Sequence, residues 1–429
     1  MRYVCLLSLL LYVLLHGAPL VSAGPMGVAA PRAPSAAETA YRRGLERLQK
    51  GELREAETAF QEAVQLAPQA AEPRLGLADV AMRQGQGKQA ETHLQQALAA
   101  APQNATAHLA WGRYLTQQQR FPEAEAAFKK AITLAPQAAA PHVDLGDLYL
   151  SGLRKPQEAT ASYRTALQFE PAHTGAQYAL GNALAATGDV AGAQAAFTES
   201  SRLAPENPLP LHALGELHAG RKEYAKAMDA FTNALKAQPK FVQAYLARGD
   251  VYNLQGQAEK ALAEYNQALQ TVPNFALAHI KIAALHEAHK RPEEAEKSYR
   301  AALAADPRQV IAYNNLAWMA AERKTQLGEA LAWTQKAVEL APHISQFQDT
   351  LGWVHRARGE LDKAETVLQK AATLEPQQAV IWYHLGLVRF ERKKTKEAAA
   401  AFKQALQLKQ EFSESEDARK RLAELEKKP

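Results

Sequence analysis

Apolar residues recur along this chain at spacings of three and four, and the whole arrangement returns after about 34 residues. Spacings of three and four predict amphipathic helices. A proline closes almost every period, and successive prolines lie 34 residues apart except for two steps of 35. These prolines are Pro68, Pro102, Pro136, Pro171, Pro205, Pro239, Pro273, Pro307, Pro342 and Pro376. A fixed period of this size is typical of a solenoid, in which each unit buries its apolar face against its neighbours.

Small residues in two columns and a large residue in a third divide each unit into two helices. When the proline is counted near position 32, position 8 is Gly or Ala and position 20 is Ala in every unit. Position 24 is large, as in Phe60, Phe128 and Phe402, and the ninth unit has Thr334 there. A glycine at position 15 in five units predicts the end of the first helix, because glycine adopts a left-handed conformation easily. The columns therefore predict a helix, a turn and a second helix that approaches the first closely.

This pattern resembles the tetratricopeptide repeat, and the resemblance covers residues 37–412 as eleven units. The third, fourth, seventh and eleventh units match the family pattern most closely, and the second matches it least. The resemblance implies an all-α fold, a right-handed superhelical solenoid whose first helices line a concave groove. It also implies a non-catalytic scaffold that binds a protein or peptide partner in that groove.

The two ends of the chain have a different character from the repeats. Residues 1–23 contain Arg2, a short apolar run and the sequence Val21-Ser22-Ala23, which predict a secretory signal peptide cleaved after Ala23. The alternative is an uncleaved anchor in the inner membrane. Residues 24–36 are expected to form a flexible leader, and residues 413–429 a C-terminal capping helix. We therefore expect the protein in the periplasm or secreted.

Composition argues against most kinds of chemistry. The single cysteine, Cys5, lies inside the predicted signal peptide, so the mature chain has no thiolate metal site. His286 and His289 are three residues apart and are interpreted as structural or solvent-exposed, not as a metal site. No nucleophile-and-base arrangement or phosphate-binding glycine loop can be assigned, so we expect neither catalysis nor a cofactor.

Charge excludes one class of partner and leaves another open. The net charge of +5 is small for this length. The one dense basic run, residues 392–396, is interpreted as a solvated turn, with a contact to an anionic partner as the alternative. Because no aromatic residues alternate with this run, a nucleic-acid partner is not expected.

Aromatic and polar residues gather on the predicted groove face of units nine to eleven. Positions 2, 5, 9 and 12 of each first helix should face the groove. There the last three units place Asn314, Trp318, Asp349, Trp353, Tyr383 and Phe390. Aromatic anchors beside a few polar groups are typical of binding hot spots, which predicts a peptide-binding platform. The alternative is that the tryptophans pack between neighbouring first helices and stiffen the end of the solenoid.

The segments 314–318 and 349–353 resemble paired units of exported bacterial tetratricopeptide proteins, some of which are linked to polysaccharide export. The leading prediction is a scaffold of the bacterial cell envelope that binds a protein partner, such as a component of an export or assembly machine. One alternative is a polysaccharide-binding protein that stacks sugars on Trp318, Trp353 and Tyr383. A second alternative is an accessory subunit of an envelope enzyme.

Overall fold

The computed structural model describes residues 34–408 and 412–426, and this part of the chain is all-α, with no strand. The predicted signal peptide and most of the leader lie outside the described residues. Within these described residues, twenty-three α-helices follow one another. They are α1 Ala36–Gln49, α2 Leu53–Leu66, α3 Glu72–Arg83, α4 Gly87–Ala100, α5 Ala105–Gln117, α6 Phe121–Leu134, α7 Ala139–Asp147, α8 Pro156–Phe169, α9 Thr174–Thr187, α10 Val190–Leu203, α11 Pro208–Gly220, α12 Tyr224–Ala237, α13 Val242–Leu254, α14 Ala258–Thr271, α15 Ala276–Ala288, α16 Pro292–Ala305, α17 Val310–Arg323, α18 Leu327–Leu340, α19 Ser345–Ala357, α20 Leu361–Leu374, α21 Ala379–Glu391, α22 Thr395–Gln407 and α23 Ser415–Glu426.

The helices α1 to α22 supply the two helices of each of the eleven predicted repeats, and the all-α solenoid class is confirmed. The small and large columns meet inside the repeat. A Cβ atom added to Gly215 would lie 2.3 Å from the ring of Phe231, and one added to Gly352 would lie 2.5 Å from Leu368 Cγ. The residue that faces the small position 8 is therefore the large residue of position 24. The alanines of position 20, such as Ala364, are fully buried beside it.

The turn between the two helices is left-handed in every repeat, including those without glycine. Five repeats use a glycine, and Gly359 is an example with φ of 76°. The other six use Gln119, Arg154, Lys222, Lys290, Lys324 and Lys393, all with positive φ. The glycine signal in the sequence therefore marked a backbone conformation that all eleven turns share.

Polar aromatic residues at position 4 of a first helix form hydrogen bonds to the carbonyl of the preceding proline. His108 Nε2 lies 2.9 Å from the Pro102 carbonyl oxygen, and Trp382 Nε1 donates to the Pro376 carbonyl at 2.9 Å. His142 makes the same contact. The proline ends the preceding helix and leaves its carbonyl available, and the ring of position 4 satisfies it. These histidines are thus structural residues of the junction between repeats.

The fourth repeat departs from the others at the end of its first helix. Residues Leu148–Gly152 form a π-helical turn, in which the Leu153 amide donates to the Leu148 carbonyl at 2.9 Å. The extra residue of this repeat is accommodated there. The described part of the chain divides into two compact units here, with the boundary between Arg154 and Lys155.

The last helix covers the apolar C-terminal end of the compact unit that begins at Lys155. Ala418 of α23 is fully buried, and Leu422 and Leu425 pack against the cluster that contains Phe402 and Tyr383. Helix α23 is the capping helix that the sequence predicts. None of the helices in the described ranges has both the length and the apolarity that a membrane crossing requires.

Candidate functional site

The candidate site is built on α17, α19 and α21, the first helices of repeats nine to eleven. Pro307, Pro342 and Pro376 end the preceding second helices, so the three first helices start in the same register. Position 9 is consequently a tryptophan on both α17 and α19, one repeat apart. Both rings are half-buried.

The two tryptophans stack on each other. The ring centroids of Trp318 and Trp353 lie 5.6 Å apart and the ring planes differ by 14°. His384 of α21 lies against both, with its ring centroid 4.3 Å from that of Trp353 and 5.7 Å from that of Trp318. Stacked aromatic pairs of this kind contribute about 0.5–1.5 kcal/mol beyond the area they bury. The tryptophans therefore join the three first helices of the site.

A buried hydrogen bond lies next to the stacked rings. His384 Nδ1 donates to Asp349, and both carboxylate oxygens lie 2.9 Å from it. His384 is 4% exposed and Asp349 is 7% exposed. Because Asp349 is buried and hydrogen-bonded to His384, its role at this face is to orient the His384 imidazole, which packs against Trp353.

Charged residues hold the edge of Trp353. The Trp353 Nε1 hydrogen is donated to Glu322 Oε1 at 2.6 Å. The Arg356 guanidinium lies 4.4 Å from the Trp353 ring centroid, and its Nε donates to Glu391 at 2.9 Å. A cation over an indole face is an attractive contact. Trp353 is thus fixed by contacts to all three first helices.

Asn314 lies one helical turn before Trp318 and carries an unused acceptor. Its Nδ2 donates to Asn315 Oδ1 at 3.2 Å, and Asn315 donates to the Tyr299 hydroxyl at 2.7 Å. The Asn314 Oδ1 atom is buried without a hydrogen-bond partner among the described residues. A buried acceptor without a partner destabilises the fold, so this oxygen is a candidate to accept a hydrogen bond from a ligand.

Tyr383 and Phe390 lie under the capping helix. Tyr383 is 6% exposed, and its hydroxyl donates to Asp417 Oδ2 at 2.8 Å. Burial, and then this hydrogen bond, raise the pKa of Tyr383 above its usual value. The Arg421 guanidinium lies 5.4 Å from the centroid of the Phe390 ring. Of the six residues that the sequence singles out, Asp349 and Tyr383 are buried, and Asn314, Trp318, Trp353 and Phe390 remain partly exposed.

Three residues that complete the cluster escaped the sequence analysis: His384, Glu322 and Arg356. Each contacts Trp353 from another helix or from the next turn of its own helix. The signal was present in the register, since His384 stands at position 6 of the repeat that follows Trp353. It could have been found by comparing position 9 of one repeat with position 6 of the next.

Exposed aliphatic residues lie at position 2 of several first helices in the compact unit that begins at Lys155. Leu209, Leu277 and Ile311 are 42%, 45% and 50% exposed. Ile311 precedes Trp318 by seven residues, so both lie on one face of α17. This face therefore offers apolar side chains to solvent next to the stacked tryptophans.

Two residues of the basic run in the last turn, Arg392 and Lys394, form ion pairs. Arg392 contacts both Asp362 and Glu365, and Lys394 Nζ lies 2.9 Å from Glu365 Oε2. This is what a solvated, locally neutralised turn would show. Within the part of the chain that the structure describes, no group of three or more His, Cys, Asp or Glu residues could hold a metal ion.

Comparison with known proteins identifies the repeat. A family model described as "Tetratricopeptide repeat" matches residues 41–90, 75–139, 143–208, 281–343 and 350–416. A second, described as "TPR repeat", matches residues 249–290. Together these segments cover more than half of the chain. A search of the curated proteins found no match.

Solved structures with a similar course of the chain include three of low sequence identity. Yeast Tom70 is 14% identical with a TM-score of 0.47, over 91% of this chain and 95% of that chain. The APC/C hetero-tetramer Cut9-Hcn1 is 14% identical with a TM-score of 0.47, over 91% and 96%. Pseudomonas aeruginosa pilF is 21% identical with a TM-score of 0.43, over 48% and 92%.

Proposed function

Because this chain belongs to the tetratricopeptide repeat family, whose scaffolds typically bind other proteins, we propose that it binds a partner protein on the first helices of repeats eight to eleven. The partner would present a peptide segment with apolar side chains. The protein is a scaffold, and its own contribution is to hold the partner in place.

The observation that carries the proposal is the exposed apolar row beside the tryptophans. Leu277 and Ile311 stand at the same position of consecutive first helices and are about half exposed. Trp318 lies on the same face of α17, and Asn314 between them has a buried acceptor without a partner. Exposed apolar groups of this kind next to an aromatic anchor are typical of interaction sites.

We expect the two tryptophans to have different roles. Trp353 is held by Trp318, His384, Arg356 and Glu322, so its main role is to fix the platform. Trp318 has fewer contacts and shares its helix face with Ile311. It would therefore act as the anchor that a partner side chain covers.

The cellular setting is part of the proposal. The sequence of residues 1–23 supports export, and we place the protein in the bacterial envelope, in the periplasm or outside the cell. There it would serve an export or assembly machine, or an envelope enzyme as its accessory subunit. An intact-mass measurement that finds a chain beginning at Gly24 in a soluble periplasmic fraction supports this setting. A membrane-bound chain that retains residues 1–23 contradicts the cleaved form.

A photo-crosslinking amino acid at Ile311 tests the binding face in its native extract. The matched control carries the same amino acid at Leu340, an exposed leucine at the end of the second helix α18. We expect a protein adduct from position 311 that is absent from position 340, and its mass spectrum identifies the contacting peptide. A synthetic copy of that peptide should then lose about ten-fold or more in affinity with Ile311→Asp.

Two outcomes, one from crosslinking and one from a fluorescence titration, would contradict the proposal. Equal amounts of protein adduct at positions 311 and 340 would contradict the proposal that the face around Ile311 binds a partner. Tryptophan-fluorescence titration with soluble envelope glycans separates the polysaccharide alternative. If the glycans change the fluorescence and Trp318→Ala abolishes that change while no peptide binds, the protein is a glycan-binding protein instead.

A further inference from the structure

A pocket separate from the tryptophan site opens in the first unit, beside the π-helical turn. It has a volume of about 450 Å³ and lies between α5, α6 and the end of α7. Its lining is mostly apolar: Phe128 and Leu148 are each 1% exposed, and Phe121 is half-buried. Ligand pockets in proteins usually have about this size and character.

The pocket borders the π-helical turn that accommodates the extra residue of the fourth repeat. The π-helical turn widens the end of the first helix, and Ser151 and Gly152 line the pocket from it. Space there is limited on the turn side, since a Cβ atom on Gly152 would lie 3.1 Å from Leu148 and 3.3 Å from Phe121. Single π-helical turns inside α-helices occur frequently at functional sites.

One polar group in the lining lacks a partner. Arg113 Nε donates to Asp144 Oδ2 at 2.5 Å, and the two side chains are 15% and 10% exposed. The Arg113 Nη2 atom is buried, and no hydrogen-bond partner for it exists in the described structure. An unsatisfied buried donor is costly, and a ligand acceptor would remove that cost.

The chemistry of the lining selects the ligand. Asp144 already balances the charge of Arg113, so the free Nη2 suits a neutral carbonyl better than a second carboxylate. The rings of Phe121 and Phe128 favour an aromatic side chain. A benzene ring fits a cavity of about 150 Å³, so this pocket has room for a phenyl ring and the amide groups on either side of it.

We propose that the pocket binds an aromatic side chain of a peptide partner, and that the adjacent backbone carbonyl accepts a hydrogen bond from Arg113 Nη2. The site uses repeats three and four, far along the sequence from the tryptophan face, and does not depend on it. It would give the scaffold a second anchoring point for a partner segment.

The test titrates two small probes, N-acetyl-phenylalaninamide and N-acetyl-alaninamide, into the full chain. Saturation-transfer NMR measures the binding of each probe. We expect the phenylalanine amide to bind about ten-fold or more tightly than the alanine amide, since only its ring fills the apolar pocket. Ser151→Trp should abolish this binding, because Ser151 is exposed at the rim and its replacement would occupy the opening. Gln117→Trp, an exposed position on α5, is the second blocking variant if the first fails to fold.

Arg113→Lys tests the hydrogen bond separately from the pocket. Lysine keeps the charge opposite Asp144 but cannot place a second nitrogen as the guanidinium does. We expect about a five- to ten-fold loss for N-acetyl-phenylalaninamide and no loss for toluene, which has the ring but no hydrogen-bond acceptor. The matched control is Arg248→Lys, since Arg248 of α13 also pairs with a carboxylate, Glu264, and also has a buried nitrogen without a partner.

The outcomes are distinct from those at the tryptophan face. Equal binding of the two amides, or binding that survives both blocking substitutions, would overturn the pocket. Equal losses in Arg113→Lys and Arg248→Lys would overturn the hydrogen bond. Ile311→Asp should leave probe binding unchanged, because it alters only the other site.

Discussion

Six of the eleven turns place a residue with a side chain in a left-handed conformation that glycine adopts more easily. Lys393 has φ of 62°, whereas Gly359 occupies the same position of the preceding repeat with φ of 76°. A left-handed conformation costs an ordinary L-residue about 1–2 kcal/mol. The packing of the two helices around each turn is therefore strong enough to impose this conformation on lysine, arginine and glutamine.

Exchanging the residues at this position should change stability in opposite directions. We expect Lys393→Gly to stabilise the protein by about 0.5 kcal/mol, because the relief of strain exceeds the entropy that glycine loses on folding. Gly359→Ala should destabilise it by about 1 kcal/mol. Urea unfolding monitored by circular dichroism measures both. Destabilisation by Lys393→Gly, or unchanged stability in Gly359→Ala, would show that the turns are not strained.

The tryptophans differ in how much structure depends on them. Trp353→Ala removes contacts to Trp318, His384, Arg356 and Glu322, and should lower the unfolding free energy by about 2–3 kcal/mol through the cavity it leaves. Trp318→Ala should lower it less and weaken partner binding more. Melting curves and affinities measured on the same two variants check this. A larger melting effect for Trp318→Ala would reverse the assignment of the two roles.

At the scale of the element, an extra residue is accommodated in two ways. The fourth repeat places it in the π-helical turn Leu148–Gly152. The ninth repeat places it at the junction of α17 and α18, where both Lys324 and Gln326 are left-handed. The sequence predicts that these two repeats are one residue longer, because the proline spacing is 35. It could not predict the location, since helix and turn absorb one residue at similar cost.

Two turns share a set of four polar side chains at identical spacing. Glu360 accepts from His355 at 2.7 Å, from Arg358 at 2.9 Å and from Lys363 at 3.3 Å. The other set is His218, Arg221, Glu223 and Lys226. The hydrogen bond from His355, followed by that from Arg358, lowers the pKa of Glu360 from 4.5 to about 2. Arg221, followed by His218 and Lys226, lowers the pKa of Glu223 to about 2 in the same way.

These turns predict an acid-side loss of stability with a defined sign. A carboxyl group whose pKa is lower in the folded protein stabilises the fold above its unfolded pKa, and that contribution disappears as the pH falls. We expect the melting temperature to fall between pH 4.5 and pH 2. The Glu223→Gln/Glu360→Gln variant should melt lower at pH 7 and lose less across that window. Glu397→Gln, at an exposed position of α22, is the control and should keep the full pH dependence.

At the scale of the whole chain, the periodic pattern predicts the fold well and the site only in part. Each repeat supplies the same columns, such as Gly215 against Phe231, so eleven copies of the signal reinforce one another. The candidate site instead depends on contacts between residues 31 to 35 positions apart, such as Trp353 with Glu322 and His384 with Asp349. Those contacts depend on rotamers and on the exact stagger of neighbouring helices. A period alone does not determine either.

Removal of the capping helix should damage one end of the protein only. A chain that stops before Phe412 loses α23 and exposes Phe402 and Tyr383, with a cost of about 2 kcal/mol or more from the lost apolar contacts of Leu422 and Leu425. Because solenoid contacts connect neighbouring repeats, hydrogen exchange should accelerate in α21 and α22 and remain unchanged in α1 to α6. The Leu422→Ser/Leu425→Ser variant should reproduce the effect with the chain length kept. Uniform acceleration along the chain would contradict this.

The stacked tryptophans also have an optical consequence. Two indole rings whose centroids lie 5.6 Å apart, with planes 14° from parallel, couple their electronic transitions. Such a coupled pair gives a paired positive and negative band in the circular dichroism spectrum, which neither ring gives alone. A small rotation of either ring changes the sign or the size of that band. The protein therefore has a built-in chromophore at the face where we place its partner, and occupancy there can be followed without any added dye.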